Sequence, residues 1–191
     1  MHARVLVVLG DGFEELEAIS VIDVLKRVEC EVILVGLKDS LEVISQGKVK
    51  LMVDKNISEI QVENLNTLDA IVFPGGWTGT QNLIASESLK HITQKMHQQN
   101  KIIAAICAAP LALCEMGILE EKNFTCYPSI ELMIKEKKPN NIYHCEKNVV
   151  CDGNVLTSRG PATALEFAFA LAEALVGSEK TQTIKKGMLA L

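Results

Sequence analysis

The sequence predicts an α/β fold with a doubly wound, mostly parallel sheet and helices on both faces. Short apolar runs typical of strands buried on both faces alternate with stretches of helical periodicity along most of the chain. The first two runs, Arg4–Leu9 and Glu31–Gly36, are separated by a helical pattern of the length expected for a right-handed crossover. No repeat, low-complexity tract or long linker interrupts the pattern, so we expect a single domain over residues 1–191.

The first half of the chain predicts three buried strands, a long helix and a hairpin. Leu16, Ile19 and Leu25 recur at helical spacing after the turn Gly10–Phe13, and we expect this apolar face to point to the core. The expected elements are strand 4–9, helix 14–29, strand 31–36, a hairpin of 41–45 with 49–53, and strand 69–73.

The second half predicts one further buried strand, several helices and short strands near the C-terminal third. Pro110 fits the first turn of a helix, and Ser129 is a candidate N-cap. The expected elements are one or two helices in 83–99, strand 101–106, a helix from 110, strand 124–126, helix 129–138, strands 142–145, 149–151 and 155–157, helix 162–176 and a C-terminal helix.

Composition argues against several classes of protein. A net charge of −5 and a pI near 5.4 give no basic footprint for nucleic acid. No apolar run reaches the roughly 20 residues that cross a bilayer, and no secretory signal precedes the first strand, so we expect a cytoplasmic protein without a membrane partner.

The six cysteines show no spacing typical of a zinc site, so no metal is expected. In a reducing compartment most cysteines behave as small core hydrophobes. We assign that role to four of them, which are Cys30, Cys114, Cys145 and Cys151.

Cys107 differs because it stands where the buried strand 101–106 turns into the helix that begins at Pro110. Unpaired backbone N–H groups and the positive end of a helix dipole favour a thiolate at such a position. Small neighbours leave room for an approaching molecule. Cys107 is therefore the candidate nucleophile, although an inert cysteine strained for packing reasons is the alternative.

Two further motifs fall at the expected carboxyl edge of the sheet. Glu14, Glu15 and Glu17 open the first helix, where a solvated acidic face is the default interpretation, but Glu17 lies beside the apolar stripe. A carboxyl drawn inward there would have a raised pKa and could offer a proton to a thiolate. Gly75 and Gly76 leave backbone N–H groups free for an oxyanion, or form only a turn.

Arg159, in a second edge loop, could pair with an anion at the site or form a structural ion pair. A histidine base for Cys107 is not apparent. The four histidines are His2, His91, His97 and His144.

Four segments, LVVLGDGFEELEA, VFPGGWTGTQNL, IIAAICAAPLAL and LTSRGPATALEFAFALAEALVG, together resemble the ThiJ/PfpI superfamily. The resemblance runs from Arg4 to about Lys186, in the branch of the parkinsonism-associated protein deglycase and its bacterial relatives. It implies a flavodoxin-like fold, related to class I glutamine amidotransferases, with no cofactor.

By this resemblance Cys107 is the oxidisable nucleophile, Glu17 is its protonated partner, and Gly75, Gly76 and Ala108 form the hole of backbone amides. Tyr127 stands where several members have a histidine, and a phenol is a poor base at neutral pH. A peptidase or amidotransferase reaction is therefore not expected. The family is usually dimeric with its first helix near the interface, which draws attention to Glu14 and Asp23.

Two functions follow as hypotheses. In the first, Cys107 attacks reactive 2-oxoaldehydes or their early glycation adducts on proteins or nucleotides, as a cofactor-independent glyoxalase or deglycase. In the second, the protein senses oxidative stress or acts as a holdase chaperone, and Cys107 is oxidised to sulfenate or sulfinate without dedicated catalysis.

Overall fold

A computed structural model describes residues 2–190, so Met1 and Leu191 of the expected domain lie outside the described residues. The strands are β1 (Arg4–Leu9), β2 (Glu31–Gly36), β3 (Glu42–Ile44), β4 (Lys50–Met52), β5 (Lys55–Asn56), β6 (Ala70–Phe73), β7 (Ile102–Ile106), β8 (Asn123–Phe124), β9 (Ile142–Tyr143), β10 (Val149–Asp152) and β11 (Val155–Ser158). The α-helices are α1 (Glu15–Arg27), α2 (Trp77–Ala85), α3 (Glu87–Gln98), α4 (Pro110–Glu115), α5 (Ile130–Lys137), α6 (Ala164–Val176) and α7 (Ser178–Gly187).

The central sheet has seven strands in the order β10-β11-β7-β6-β1-β2-β5. Every neighbouring pair is parallel except β10 and β11, which form an antiparallel hairpin at one edge. The smaller pairs β3–β4 and β8–β9 lie outside this sheet. This arrangement confirms the predicted mostly parallel α/β fold.

Side chains of β1 alternate between two hydrophobic cores, because successive residues of a strand point to opposite faces. Leu6 and Val8 pack in the core under α2, α3 and α4. Val5, Val7 and Leu9 pack in the core under α1 and α6. A strand buried on both faces has no polar position, which explains its continuous aliphatic sequence.

The carboxyl ends of three adjacent strands lead directly into helices. β1, β6 and β7 lie side by side in the sheet, and the chain passes from them into α1, α2 and α4. After β1 the chain adds β2 on one side and later β6 on the other, so the order of strands reverses at this point. Ligand sites of open α/β sheets lie at the carboxyl edge at such a reversal.

The predicted core face of α1 is wrong at two positions. Leu16 is 53% exposed and Ile19 is 44% exposed. The buried face is formed instead by Glu17, Ala18, Val21, Val24 and Leu25. The helix carries aliphatic residues on nearly all sides, and its contacts with the sheet and α6 select the side that includes a carboxyl.

The assignment of four cysteines to the core is half correct. Cys30 and Cys114 are buried, whereas Cys145 and Cys151 are exposed. Cys151 lies on the edge strand β10, and Cys145 follows the two-residue strand β9. His144 likewise falls just beyond β9, where the sequence predicts a strand.

Local hydrogen bonds explain three other differences at element ends. Strand 124–126 ends at Phe124 because the N–H of Thr125 donates to the Thr157 hydroxyl, at 3.0 Å, instead of a strand partner. Ser86 divides the helical stretch 83–99 and caps α3 by accepting from the Leu89 N–H. Ser129 precedes α5, but its side chain makes no capping bond.

No helix within residues 2–190 combines the length and apolar character that crossing a membrane requires.

Candidate active site

Cys107 occupies the turn between β7 and α4 in a left-handed backbone conformation, with φ at +65°. Its N–H donates to the Ser158 carbonyl at 3.0 Å, and its carbonyl accepts from the Tyr127 N–H at 2.9 Å. Pro110 is the first residue of α4, as predicted. These bonds fix the elbow and leave the side chain of Cys107 only 8% exposed.

Glu17 points into the protein from the first turn of α1 and is completely buried. Its Oε2 accepts a 2.7 Å hydrogen bond from the Gly75 N–H. Its own N–H donates to the carboxylate of Glu14, the N-cap of α1, at 2.8 Å. Glu14 is also buried, and its N–H donates to the Gly75 carbonyl at 3.0 Å.

The other carboxyl oxygen, Glu17 Oε1, is buried and has no well-aligned hydrogen bond to any residue in 2–190. The Cys107 thiol is nevertheless close enough to influence the pKa of this carboxyl. An uncharged carboxylic acid would leave Oε1 free to donate, so the geometry suits a carboxyl that holds and transfers a proton.

Gly75 is the point where Cys107 and Glu17 meet. A Cβ atom at this residue would lie 2.6 Å from Cys107 Cβ and 2.8 Å from Glu17 Oε2. Both distances are far shorter than ordinary van der Waals contact. Only glycine therefore allows the thiol-bearing turn and the buried carboxyl to approach the loop after β6.

Backbone N–H groups of Gly76 and Ala108 lie close enough to the Cys107 sulfur to lower the pKa of its thiol. Gly76 has φ at +86°, and a Cβ there would lie 2.3 Å from the Gly12 carbonyl oxygen. The loop after β6 is therefore held against the loop after β1. The structure brings together the five predicted residues Cys107, Glu17, Gly75, Gly76 and Ala108.

The pKa values of the two side chains are both raised. Burial raises the pKa of Glu17 to about 7, with a contribution from the charge of Glu14, against the lowering effects of the Gly75 N–H and the Cys107 thiol. Burial also raises the pKa of Cys107 to about 12, reinforced by Glu17 and opposed by the N–H groups of Gly76 and Ala108.

When Glu17 is ionised, the raised pKa of Cys107 favours the thiol over the thiolate. The expectation that a helix N-terminus favours a Cys107 thiolate is therefore wrong in this state. Desolvation and the neighbouring carboxylate outweigh the backbone donors, and α4 is only six residues long. Because two adjacent charges are costly to bury, the pair loses one proton near neutral pH and retains the other. The retained proton is available for transfer between sulfur and carboxyl.

Tyr127 and Arg159 are possible secondary residues of the site. A Cβ on Gly160 would be 3.2 Å from Tyr127 Cδ2 and 4.0 Å from Cys107 Sγ, so the tyrosine ring is near the sulfur. Arg159 instead acts on the pKa values of Cys126 and Tyr143. Its Nε is buried without a hydrogen-bond partner in the described part of the chain.

Histidines with side-chain partners are directed elsewhere. His144 Nε2 lies 2.9 Å from Asn123 Oδ1, and His97 Nδ1 lies 3.2 Å from Asn154 Nδ2. Within residues 2–190, no group of three His, Cys, Asp or Glu side chains is arranged to hold a metal ion.

Two residues at the site are not predicted from the sequence, although the motif Thr157–Pro161 contains them. Ser158 and Gly160 flank Arg159 and make the close contacts with Cys107 described above. The sequence feature that points to them is the glycine before Pro161 at the end of a strand. A glycine there indicates close approach of two backbone segments rather than a charged contact.

The raised pKa of Glu17 predicts a loss of stability with rising pH. Between pH 4.5 and about 7 the unfolded chain releases this proton while the folded protein retains it, so the free energy of unfolding falls as pH rises through this range. The shift corresponds to on the order of 3 kcal/mol. Urea unfolding at pH 4.5 and pH 8 should show this fall in the wild type and a clearly smaller one in Glu17→Gln. Equal falls in both proteins would contradict the assignment.

The sequence matches the DJ-1/PfpI family over residues 3–174. It is 40% identical to Protein DJ-1 homolog B of Arabidopsis thaliana over 97% of this chain, which spans only 41% of that protein's length. It is 33% identical to glutathione-independent glyoxalase DJR-1.2 of Caenorhabditis elegans, over 91% of this chain and 88% of that protein.

The crystal structure of Drosophila melanogaster DJ-1beta superposes with a TM-score of 0.91 at 36% identity, covering 99% of this chain and 98% of that one. Both the fold and nearly the full length of the sequence are thus shared with that protein. The chain belongs to the DJ-1/PfpI family.

Proposed function

We propose that this protein protects against reactive carbonyl compounds by converting 2-oxoaldehydes into 2-hydroxy acids, with Cys107 as nucleophile and Glu17 as proton carrier. The observation that carries the proposal is the meeting of these two side chains at Gly75. The C. elegans relative that is named a glyoxalase supports the same reaction class.

In the first step the Cys107 sulfur attacks the aldehyde carbon, and a C–S bond forms while the carbonyl π electrons move to oxygen. The ionised Glu17 accepts the thiol proton as the sulfur attacks. The Gly76 and Ala108 N–H groups near the sulfur would stabilise the developing oxyanion. Protonation of that oxygen gives a hemithioacetal.

In the second step a proton leaves the former aldehyde carbon and another is added to the neighbouring carbonyl carbon. Glu17, with a pKa near neutrality, suits both transfers. The former aldehyde carbon is oxidised to a thioester while the ketone is reduced to an alcohol. Water then cleaves the C–S bond, releasing a 2-hydroxy acid and the thiol, so no external oxidant or reductant is needed.

The same attack serves early glycation adducts, because these adducts are in equilibrium with the free aldehyde. Removal of the aldehyde by Cys107 would draw the adduct back to the unmodified amine, thiol or nucleobase. Deglycation then follows from the glyoxalase reaction without a second site.

Lactate formation from methylglyoxal tests the reaction. Cys107→Ser should fall to the buffer background, and Glu17→Gln should lose about 10²-fold or more of kcat because proton transfer is impaired. Cys114→Ser, which alters a buried cysteine outside the site, is the matched control and should retain activity. Equal lactate formation by the wild type and Cys107→Ser would reject the mechanism.

A second candidate function, sensing of peroxide, is favoured by the hydrogen-bond donors around the sulfur. The Cys107 sulfur would attack hydrogen peroxide and release water to give a sulfenic acid, and a second peroxide would give a sulfinate. Its oxygens would accept from the Gly76 and Ala108 N–H groups and from a protonated Glu17. The two functions are compatible because both use one sulfur.

Peroxide oxidation distinguishes this site from ordinary exposed thiols. Under mild hydrogen peroxide, mass spectrometry should find sulfinate on Cys107 before Cys145 and Cys151, although those two are the more exposed. Glu17→Gln should slow formation of the sulfinate, because glutamine can donate a hydrogen bond but cannot accept the thiol proton as the sulfur attacks. Preferential oxidation of the exposed pair would exclude a sensor function for Cys107.

We also propose that two copies of this chain associate through α1 and the β3–β4 hairpin. The large apolar side chains Leu16, Ile19, Val49 and Met52 are exposed on these elements. The hairpin loop is attached to the start of α1, since Gln46 N–H donates to the Phe13 carbonyl at 2.9 Å. Exposed apolar side chains concentrated on adjoining elements are typical of an interaction surface.

Analytical ultracentrifugation tests this association. The wild type should sediment as a dimer, and Leu16→Glu with Ile19→Glu should shift it to the monomer because the charges cannot be buried between copies. Leu132→Glu, on the exposed side of α5, is the control and should leave the dimer intact. A monomeric wild type would refute the proposal.

A further inference from the structure

Glu14 is a buried acidic residue to which the proposed reaction gives no role. It is only 8% exposed, although glutamates are rarely buried without a partner. The next acidic residue, Glu15, is directed away from the site, because its carboxylate accepts from the Gly47 N–H in the loop between β3 and β4, at 3.3 Å. The burial of Glu14 must therefore be explained by its own contacts.

Three hydrogen bonds join Glu14, Gly75 and Glu17 in a closed ring. The Glu14 N–H donates to the Gly75 carbonyl at 3.0 Å, and the Gly75 N–H donates to Glu17 Oε2 at 2.7 Å. The Glu17 N–H completes the ring by donating to Glu14 Oε2 at 2.8 Å. Each residue donates once and accepts once in this ring. Loss of one bond would therefore loosen the hold on the Glu17 carboxyl.

The backbone of Glu14 is packed tightly against the loop after β6. A Cβ on Gly76 would lie 2.8 Å from the Glu14 nitrogen, so the two segments are in contact backbone to backbone. Glu14 is also the N-cap of α1, and its carbonyl accepts from the Ala18 N–H at 3.2 Å. Its side-chain bond to the Glu17 N–H thus couples the start of the helix to this loop.

The carboxylate of Glu14 also acts on Glu17 through its charge. The titratable groups that influence the Glu17 carboxyl are Cys107, from the turn after β7, and Glu14 on the same helix. Burial is the largest cause of the raised pKa of Glu17, and the charge of Glu14 raises this pKa further. Burial likewise raises the pKa of Glu14, and the charge of Glu15 acts in the same direction. An uncharged side chain at position 14 would therefore favour release of the Glu17 proton.

We propose that Glu14 is a positioning residue of the site, whose carboxylate closes the ring of hydrogen bonds and holds the Glu17 carboxyl against Gly75. Its negative charge also biases Glu17 toward the form that carries a proton. Glu14 acts on the Cys107 sulfur through Glu17. The inference rests on the roles of Cys107 and Glu17 in the proposed glyoxalase reaction and adds a second carboxyl that governs the first.

Alkylation of Cys107 by iodoacetamide tests the effect of the charge without turnover. The rate, followed across the neutral range by mass spectrometry of the peptide that contains Cys107, should rise as the Glu17–Cys107 pair loses its first proton. Glu14→Gln keeps an oxygen that can accept from the Glu17 N–H but removes the charge, so the midpoint should move to lower pH. Glu15→Gln removes an equal charge from the same turn and should move the midpoint less.

Lactate formation from methylglyoxal tests the effect of the hydrogen bond. Glu14→Ala removes the acceptor as well as the charge, and a displaced Glu17 carboxyl should lower kcat about tenfold or more with little change in KM. Glu14→Gln, which keeps an acceptor, should recover most of this loss. Ser86→Ala removes the corresponding capping bond of α3, where Ser86 accepts from the Leu89 N–H at 3.3 Å, and should retain kcat.

An unchanged alkylation midpoint in Glu14→Gln, or a shift no larger than that of Glu15→Gln, would overturn the inference, and this result decides the matter even where Glu14→Ala does not fold. Equal kcat in Glu14→Ala and the wild type would also overturn it. Absence of lactate formation by the wild type, combined with the expected shift in Glu14→Gln, would reject the proposed reaction and retain the action of Glu14 on the Glu17–Cys107 pair.

Discussion

The carboxyl group of Glu17 and the thiol of Cys107 occupy a space that exists because residue 75 has no side chain. Burial makes a negative charge on either group unfavourable, and mutual repulsion makes two charges still less favourable. The pair consequently holds one proton in the neutral range. The loop after β6 supports this state, since the Gly75 N–H binds the carboxyl and its carbonyl accepts from the N-cap of α1.

The site is assembled from the ends of three strands that are neighbours in the sheet, and no single strand supplies all of its groups. β1 leads to the helix that carries Glu17, β6 to the loop that contains Gly75 and Gly76, and β7 to Cys107. Because parallel strands end at one edge, three loops distant in sequence meet there. A carboxyl group on a helix that is packed on the sheet has little freedom, and the position of Glu17 is accordingly set by the core as much as by its own contacts.

Features determined by local sequence could be predicted, whereas those determined by packing could not. The strand-to-helix turn at Cys107, with Pro110 opening α4, follows from neighbouring residues alone. The buried side of α1 does not, since Leu16 and Ile19 are as apolar as the residues that occupy the core. The inward position of Glu17 was therefore suggested by family resemblance. The direction of the Cys107 pKa shift depends on burial and on an acid 90 residues away, which no local pattern reveals.

The left-handed backbone at Cys107 restricts which residues can occupy this position. A residue with a Cβ costs about 1 kcal/mol or more at such a φ, and a β-branched residue is excluded in practice. Glycine would relieve the strain but would remove the sulfur, so selection for stability alone would favour replacement of the cysteine. A cysteine at this turn therefore costs stability that a glycine would not.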